Sequence, residues 1–519
     1  MLCLTFTVQA QLKGSVAPYR YGCQCAVSLT FDDGIQEDYT LIAPHLDRYG
    51  LKGTFCINGA FIGDIDDHYA PRMTWDQCRD LLARGHEIAS HSWSHLNEYE
   101  VSIEDTQREI AKNDSAMMAE LGLRPLTYIF PFNAYTPEAL AAAMRNRVAC
   151  RTYQFALGQR DSKADWASIT AWLQQQIDGN NWAVTMTHGI YTAWDQWEEP
   201  WLLWDFFRLL SEKTDTVWTA TFADVAMYVT ERDSVKLTVK SETNSIHITP
   251  SLNLSPQLFQ MPLTLNISCA DTSIPLEALQ GEKALPIQRT GMRTYVEFDP
   301  FGGEIVIRQL AGRKRVSILG DSYSTMFGWT NEPFYPHADV QQVEQTWWYQ
   351  VISNGNYALE RNNSYSGSTM TNNTLPDWRK PGQMMDVSTS FMSRATDLGN
   401  PDIILICGGT NDEWNNDNSM GDYKYSDWTD EDLKLFRPGT AYLINLLKTK
   451  YPQADVYFVL NDILPRVSES IKIICSRYGI PVVAPQGIAK DETGHPTAQG
   501  METIAREVLN TMRGYSSSF

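Results

Sequence analysis

Basic side chains are in deficit in this 519-residue chain: 42 Lys and Arg stand against 62 Asp and Glu, a formal charge of −20 at pH 7. A surface of that sign repels phosphate backbones and anionic bilayers, which argues against nucleic acid or an acidic membrane as a partner. Long apolar runs are missing as well. No stretch approaches the roughly 18 consecutive apolar residues of a membrane-spanning helix, so no span is expected. The nine cysteines are scattered without one CxxC pair, which removes the common zinc-ribbon and redox-dithiol patterns. Cys56 and Cys407 sit inside apolar runs and read as small core residues. No internal repeat of roughly 20 to 50 residues is visible, which excludes a solenoid. At about 100 to 200 residues per domain, the length implies about three units.

At the N-terminus, Leu2 to Val8 are mostly apolar, and Val8-Gln9-Ala10 ahead of Gln11 resembles the small-x-small cleavage site of a secretory signal peptide. On this reading residues 1–20 are signal peptide and leader, and the protein is secreted or periplasmic. The alternative is a buried N-terminal strand.

The chemistry starts at Ser28-Leu29-Thr30-Phe31-Asp32-Asp33-Gly34, where an apolar run from Cys25 to Phe31 ends in two adjacent carboxylates. Such a run reads as a buried strand, and the paired charges at its end repel unless a cation or a shared proton relieves them. Further on, His91-Ser92-Trp93-Ser94-His95 offers two imidazoles at i and i+4, which face one ion if the stretch is helical. One Asp and two His make a three-ligand set with positions open for water and substrate. The pair TFDDG and HSWSH resembles the first two motifs of the NodB-type polysaccharide deacetylases. That resemblance implies Asp32 as general base and Asp33, His91 and His95 as ligands of a divalent metal, zinc in most members. It also implies His188, after the strand-like Trp182 to Met186, as general acid, with Asp165 of Asp165-Trp166 orienting it. The third family motif normally carries an Arg before a proline-aromatic pair; Tyr128-Ile129-Phe130-Pro131-Phe132 has none. His86 and His45 read as packing and helix-surface residues. Trp201 and Trp204, at i and i+3, are assigned to the core; Tyr191, Trp194 and Trp197 are divided between core and a sugar-binding cleft.

Strand-like and helix-like segments alternate through residues 21–230, the grammar of parallel strands joined by crossover helices. The resemblance favours an irregular (β/α) barrel over a doubly wound sheet. Residues 231–312 change to short alternating runs such as Val235 to Val239 and Glu304 to Arg308, separated by Pro, Gly and Asn, which suggests a small all-β sandwich.

From residue 313 to 519 the α/β grammar returns. Val316-Ser317-Ile318-Leu319 runs into Gly320-Asp321-Ser322-Tyr323-Ser324, followed in order by Asn363-Ser364-Tyr365-Ser366-Gly367, Gly408-Gly409-Thr410-Asn411-Asp412 and Gly494-His495-Pro496. These four blocks resemble the SGNH (GDSL-type) esterases and imply a flavodoxin-like α/β/α domain. In that resemblance Ser322 is the nucleophile and His495 its base, while the oxyanion donors are the backbone N–H of Ser322 and of Gly367 and the side-chain amide of Asn411. The family's acid lies three residues before the histidine. Here that position is Glu492, with Asp491 one residue earlier; either serves, or the site works as a dyad.

Two unrelated deacylation centres suggest one purpose: removal of acetyl groups from an acetylated polysaccharide or oligosaccharide, one centre metal-dependent and the other serine-dependent. The alternatives are an N-deacetylase of peptidoglycan or a chitin-like polymer with an accessory esterase, and a glycan-binding protein whose first site has decayed for want of the motif-three Arg.

Overall fold

The computed structural model describes residues 12–269, 271–290, 293–380, 382–415, 419–461 and 464–516. The expected signal segment up to residue 11 lies outside them. The chain divides into two compact units, one of residues 1–270 with 287–306 and one of 271–286 with 307–519.

The first unit is built on an eight-stranded sheet. Seven strands follow one another in the order Ala149–Arg151, Thr127–Ile129, Glu87–Ser90, Thr54–Ile57, Cys25–Phe31, Trp182–Thr187 and Phe155–Ala156, and Val217–Thr219 also pairs with Cys25–Phe31. Every pairing is parallel, which requires crossover segments and accounts for helices such as Trp75–Ala83, Ile103–Leu121 and Trp201–Glu212 between strands. Thr74, Ser102 and Thr136 cap three of these helices through their hydroxyls, which accept backbone N–H groups of the first turn. Cys25–Phe31 is buried throughout, as a strand covered on both faces must be.

The sheet is strongly curled. Arg151 lies on an edge strand, four strands from the one that ends at Asp32; in a flat sheet this would be about 19 Å at the usual inter-strand spacing. Yet the guanidinium of Arg151 meets the carboxylate of Asp32 at 2.8 and 2.5 Å. The first unit is therefore an incomplete, curled barrel of the deacetylase type, and the ends of its strands converge on one mouth.

The all-β segment contributes to both units. In the first, Lys13–Val16, Leu263–Ser268, Arg293–Phe298 and Ile287–Thr290 form an antiparallel sheet in that order, and Lys236–Ser241 pairs with Ser245–Ser251. Residues 13–16, expected as leader, are thus a strand, because Leu263–Ser268 offers its free edge to them. In the second unit Leu276–Gln280 and Lys283–Leu285 form a hairpin.

The second unit carries a five-stranded parallel sheet ordered Ala358–Asn362, Arg315–Gly320, Ile403–Cys407, Asp455–Val459, Val482–Val483. The first strand in sequence lies second in space, so the chain turns to the other side of it after one crossover. That topology is flavodoxin-like, and a switch point of this kind opens a crevice at the strand ends. Two apolar layers cover the sheet, one around Trp347, Trp348 and Val508 and the other around Phe391, Leu443 and Ile471. Among the described residues no helix is long and apolar enough to cross a membrane.

Candidate active sites

In the first unit Asp32 and Asp33 follow the central strand directly, and Asp33 turns back with φ +75°. His91 and His95 do come to Asp33, but not from a helix. Residues 91–95 form a loop after Glu87–Ser90, with φ +66° at Ser92 and +59° at His95. Glu109, on the helix Ile103–Leu121, fixes this loop by accepting from Ser92 Oγ, Ser94 N and Ser94 Oγ at 2.8, 2.6 and 2.9 Å. The result replaces the expected helical turn: Nε2 of His91 and of His95 lie 3.3 and 3.2 Å from Asp33 Oδ1. His91 Nδ1 is bonded to the Ile129 carbonyl at 2.8 Å, so this ring nitrogen carries the proton and Nε2 presents its lone pair. Asp33 Oδ1 is buried and has no hydrogen-bond partner among the described residues. A buried carboxylate oxygen facing the Nε2 atoms of two imidazoles fits a divalent cation, and the three side chains form a group able to hold one.

The absent motif-three Arg has a substitute. Arg151, on the short strand Ala149–Arg151, grips Asp32 with both terminal nitrogens and also donates to Thr30 Oγ1 at 2.6 Å. Burial pushes the Asp32 carboxyl up, but Arg151 outweighs it and holds the group well below the usual carboxylate range. This arginine was missed because it follows the third motif by a helix and a turn; a lone basic residue in a short apolar strand was the only sign of it.

His188 follows Trp182–Thr187 and opens on the same mouth. Its partner is not Asp165, which is fully committed as the N-cap of the helix Trp166–Asp178, accepting from Ser168 N at 2.7 Å. Asp195 takes the role instead, accepting from His188 Nδ1 at 2.7 Å and from His188 N at 2.8 Å. Burial disfavours the imidazolium, but Asp195, with Asp33 and Asp32, raises His188 to about 9. The tripeptide Trp194-Asp195-Gln196, seven residues past the histidine, held the signal.

Asp32, Asp33, His91, His95 and His188 line a cavity of about 610 Å³ together with Tyr69, Phe132 and Trp194. Trp194 is 44% exposed, with the Arg160 guanidinium over its ring. Trp197 is buried and donates to Thr187 Oγ1, so it belongs to the core. Tyr191 is exposed outside this lining. Trp201, expected in the core, is 49% exposed at the start of its helix, where burial falls instead to Leu202 and Leu203; Trp204 stacks on His45 at 3.8 Å. His86 packs on Phe55 and accepts from Gly53 N.

In the second unit Ser322 sits just past Arg315–Gly320, at the switch point, with Asp321 as N-cap of the short turn Ser322–Ser324. Ser322 Oγ lies 2.9 Å from His495 Nε2. Phe334 stacks on the imidazole at 3.6 Å, and burial pushes His495 down to about 4, against the pull of Asp491. Gly367 has φ +76°, and a Cβ there would lie 2.4 Å from the Trp378 ring; glycine is required on both counts. Its N–H has no acceptor among the described residues. Asn411 Nδ2 donates to Ser368 O at 2.8 Å, which leaves its second amide proton for another acceptor, and Arg394 ties Gly320 O to Ser368 Oγ. Neither candidate acid touches the His495 ring. Glu492 is exposed. Asp491 Oδ1 binds the hydroxyl of Thr493 at 2.6 Å, and that hydroxyl binds His495 Nδ1 at 2.9 Å.

Two centres unrelated in build, each with the side chains of a hydrolytic site, therefore lie on one chain. Residues 22–149 match the polysaccharide deacetylase family and residues 314–512 the GDSL-like lipase/acylhydrolase family. The first part is 32% identical over 104 residues to a chitin deacetylase of Pestalotiopsis sp, covering 20% of this chain and 33% of that protein. It is 29% identical over 113 residues to the peptidoglycan-N-acetylglucosamine deacetylase PgdA of Listeria monocytogenes, covering 22% of each. The chain thus spans a third or less of the length of these two relatives. The second part is 41% identical to a GDSL-like lipase of Bacteroides ovatus, covering 39% of this chain and 99% of that one, with a TM-score of 0.36.

Proposed function

We propose that the protein is a bifunctional carbohydrate esterase that strips acetyl groups from an exported polysaccharide, with one metal-dependent and one serine-dependent centre. The observation that carries this reading is that each reacting side chain meets its own partner: the base Asp32 meets Arg151, the acid His188 meets Asp195, and the nucleophile Ser322 meets the base His495.

In the first centre Asp33, His91 and His95 would hold the divalent cation, zinc in our reading, which when bound supplies Lewis acidity and acidifies a water. Asp32, kept ionised by Arg151, accepts the proton of the attacking water. His188, kept protonated by Asp195, gives its proton to the departing oxygen or nitrogen. In the second centre Ser322 Oγ attacks the acetyl carbonyl as His495 Nε2 takes its proton, and the N–H groups of Ser322 and Gly367 and the Asn411 amide receive the oxyanion. His495 then returns the proton to the departing sugar oxygen, and a water that gives its proton to His495 hydrolyses the acetyl-serine, releasing acetate and restoring Ser322.

A second reading, in which the first centre removes N-acetyl groups from a chitin-like or peptidoglycan polymer, is favoured by the names of the two deacetylases that resemble this part. The raised proton affinity of His188 suits it, since an amine leaves only with full acid assistance. The decayed-site alternative loses its motive, because Arg151 fills the place of the missing arginine. Export to the periplasm or beyond, as the N-terminal residues suggest, places the enzyme with such substrates. Acetate release from a panel of O- and N-acetylated glycans, measured for the native chain and for Asp32→Ala and Ser322→Ala, tests the reading: each variant should lose a different subset of substrates. Loss of nothing in either variant would overturn it.

A further inference from the structure

We propose that Thr493 is a positioning residue of the serine centre, relaying the carboxylate of Asp491 to the ring of His495. This rests on the reading of Ser322 and His495 as nucleophile and base.

The argument is a count of protons. Asp491 Oδ1 lies 2.6 Å from Thr493 Oγ1, and an ionised carboxylate can only accept. The single hydroxyl proton of Thr493 is therefore given to Asp491. The same hydroxyl oxygen lies 2.9 Å from His495 Nδ1, and with its proton already placed it can only accept there. Nδ1 must then carry a proton, and Nε2, 2.9 Å from Ser322 Oγ, is left with a lone pair aimed at the nucleophile. One hydroxyl thus sets the tautomer that the base requires. When Ser322 gives its proton to Nε2 and its oxygen bonds to the acyl carbon, the imidazolium formed keeps the Nδ1 proton on Thr493 and feels the Asp491 charge through one intervening group.

The geometry around the relay holds it in place. Asp491 Oδ1 also accepts the N–H groups of Thr493 and His495 at 2.8 and 3.2 Å, while Asp491 Oδ2 faces His337 Nε2 at 3.2 Å. Lys490, the nearest cation in sequence, is engaged by Asn461 Oδ1 at 2.6 Å. Phe334 and Tyr323 close the ring of His495 on its other sides. The acid stands four residues before the histidine, and Thr493 fills the added distance.

The test uses the full chain, acting on a soluble acetyl ester, with four variants. T493V removes only the hydroxyl at an exposed position and should lower kcat roughly 10- to 100-fold with KM within about twofold, the scale of outer-sphere orienting groups. T493S should restore kcat to within about threefold of the native value. D491N should match T493V, the double variant D491N/T493V should be no worse than the poorer single, and E492Q should change kcat by less than twofold. In ¹⁵N-labelled protein, His495 should show a protonated Nδ1 in the native chain and in T493S, and a tautomer mixture in T493V. Retention of more than half of kcat in T493V, an unaltered Nδ1–H signal in that variant, or a loss in E492Q equal to that in D491N would overturn the relay. Ester hydrolysis that survives in Ser322→Ala would instead overturn the serine reading on which it rests.

Discussion

Replacing Arg151 by Met should destabilise the first unit mainly by stranding the charge of Asp32. The two side chains are 2% and 3% exposed and share two parallel contacts at 2.8 and 2.5 Å, which puts their charge centres ~4 Å apart. At an effective dielectric of about 20 that separation is worth about 4 kcal/mol, in line with the roughly 3–5 kcal/mol lost when one partner of a buried pair is removed. R151M and D32N should each lower the melting temperature of the first unit by roughly 10 °C, taking about 2–4 °C per kcal/mol for a unit of this size. The double variant R151M/D32N should recover most of that loss, since neither charge remains. The lost contact from Arg151 to Thr30 Oγ1 enters both arms of the cycle and cancels. The assay is calorimetry of the four proteins in excess chelator, so that nothing held by Asp33 contributes. A coupling energy below about 0.5 kcal/mol, the scatter of independent sites, would refute the claim that the pair stabilises the mouth of the barrel.

Four further outcomes are expected. His495, depressed by burial to about 4, should stay in its basic form through the mildly acid range, so kcat/KM of the serine centre should hold from neutral pH to about 5 and fall only near 4; its contribution to stability, present above its unfolded value of about 6.5, should be lost as pH drops below that. An acid limb near 6.5 would contradict this. Glu231 is buried on the helix Phe222–Ser234, receives Met261 N at 3.1 Å, and is pushed by burial up to about 8. It binds a proton on folding and loses stability as pH rises from about 4.5 to 8 at up to about 1.4 kcal/mol per unit. E231Q should therefore raise the melting temperature more at pH 8.5 than at pH 5, and a pH-independent difference would speak against it. Chelation should abolish the turnover that Asp32→Ala abolishes and leave Ser322-dependent hydrolysis intact, as read by acetate release with the two substrate sets. E109A should loosen the loop that carries His91 and His95 and weaken metal retention roughly 10- to 100-fold, measured by competition with a zinc indicator; unchanged retention would remove Glu109 from the loop's support.

The residues whose chemistry is written in contiguous motifs were legible from sequence. The doubled Asp after an apolar strand, the two spaced histidines, and Gly-Asp-Ser followed by a distant Gly-His-Pro all specify a local backbone and a side chain at once. Partners supplied across space were not. Arg151 reaches Asp32 only because the sheet curls, and curl is a sum over strands that no single segment reports. Asp165 was read as the orienting acid because an Asp before a helix looks the same whether it orients a histidine or caps the helix; the accepting bond from Ser168 decides in favour of capping. The i, i+4 histidines suggested a helix by spacing alone, whereas the loop gains its shape from Glu109, a residue of another element. Thr493 carried no signal of its own, since a threonine beside a Gly turn is ordinary until its hydroxyl is found between a carboxylate and an imidazole.

The division of the β-rich segment has a consequence for descent. Because residues 271–286 belong with 307–519 while 287–306 return to the first unit, the polypeptide changes allegiance three times before it settles. A single recombination breakpoint anywhere in this stretch would hand each descendant gene a catalytic half with a strand or hairpin missing, or with one that belongs to the other. A cut that frees either half cleanly therefore needs more than one break, and trimming the gene to one half should leave a protein whose small sheet is incomplete.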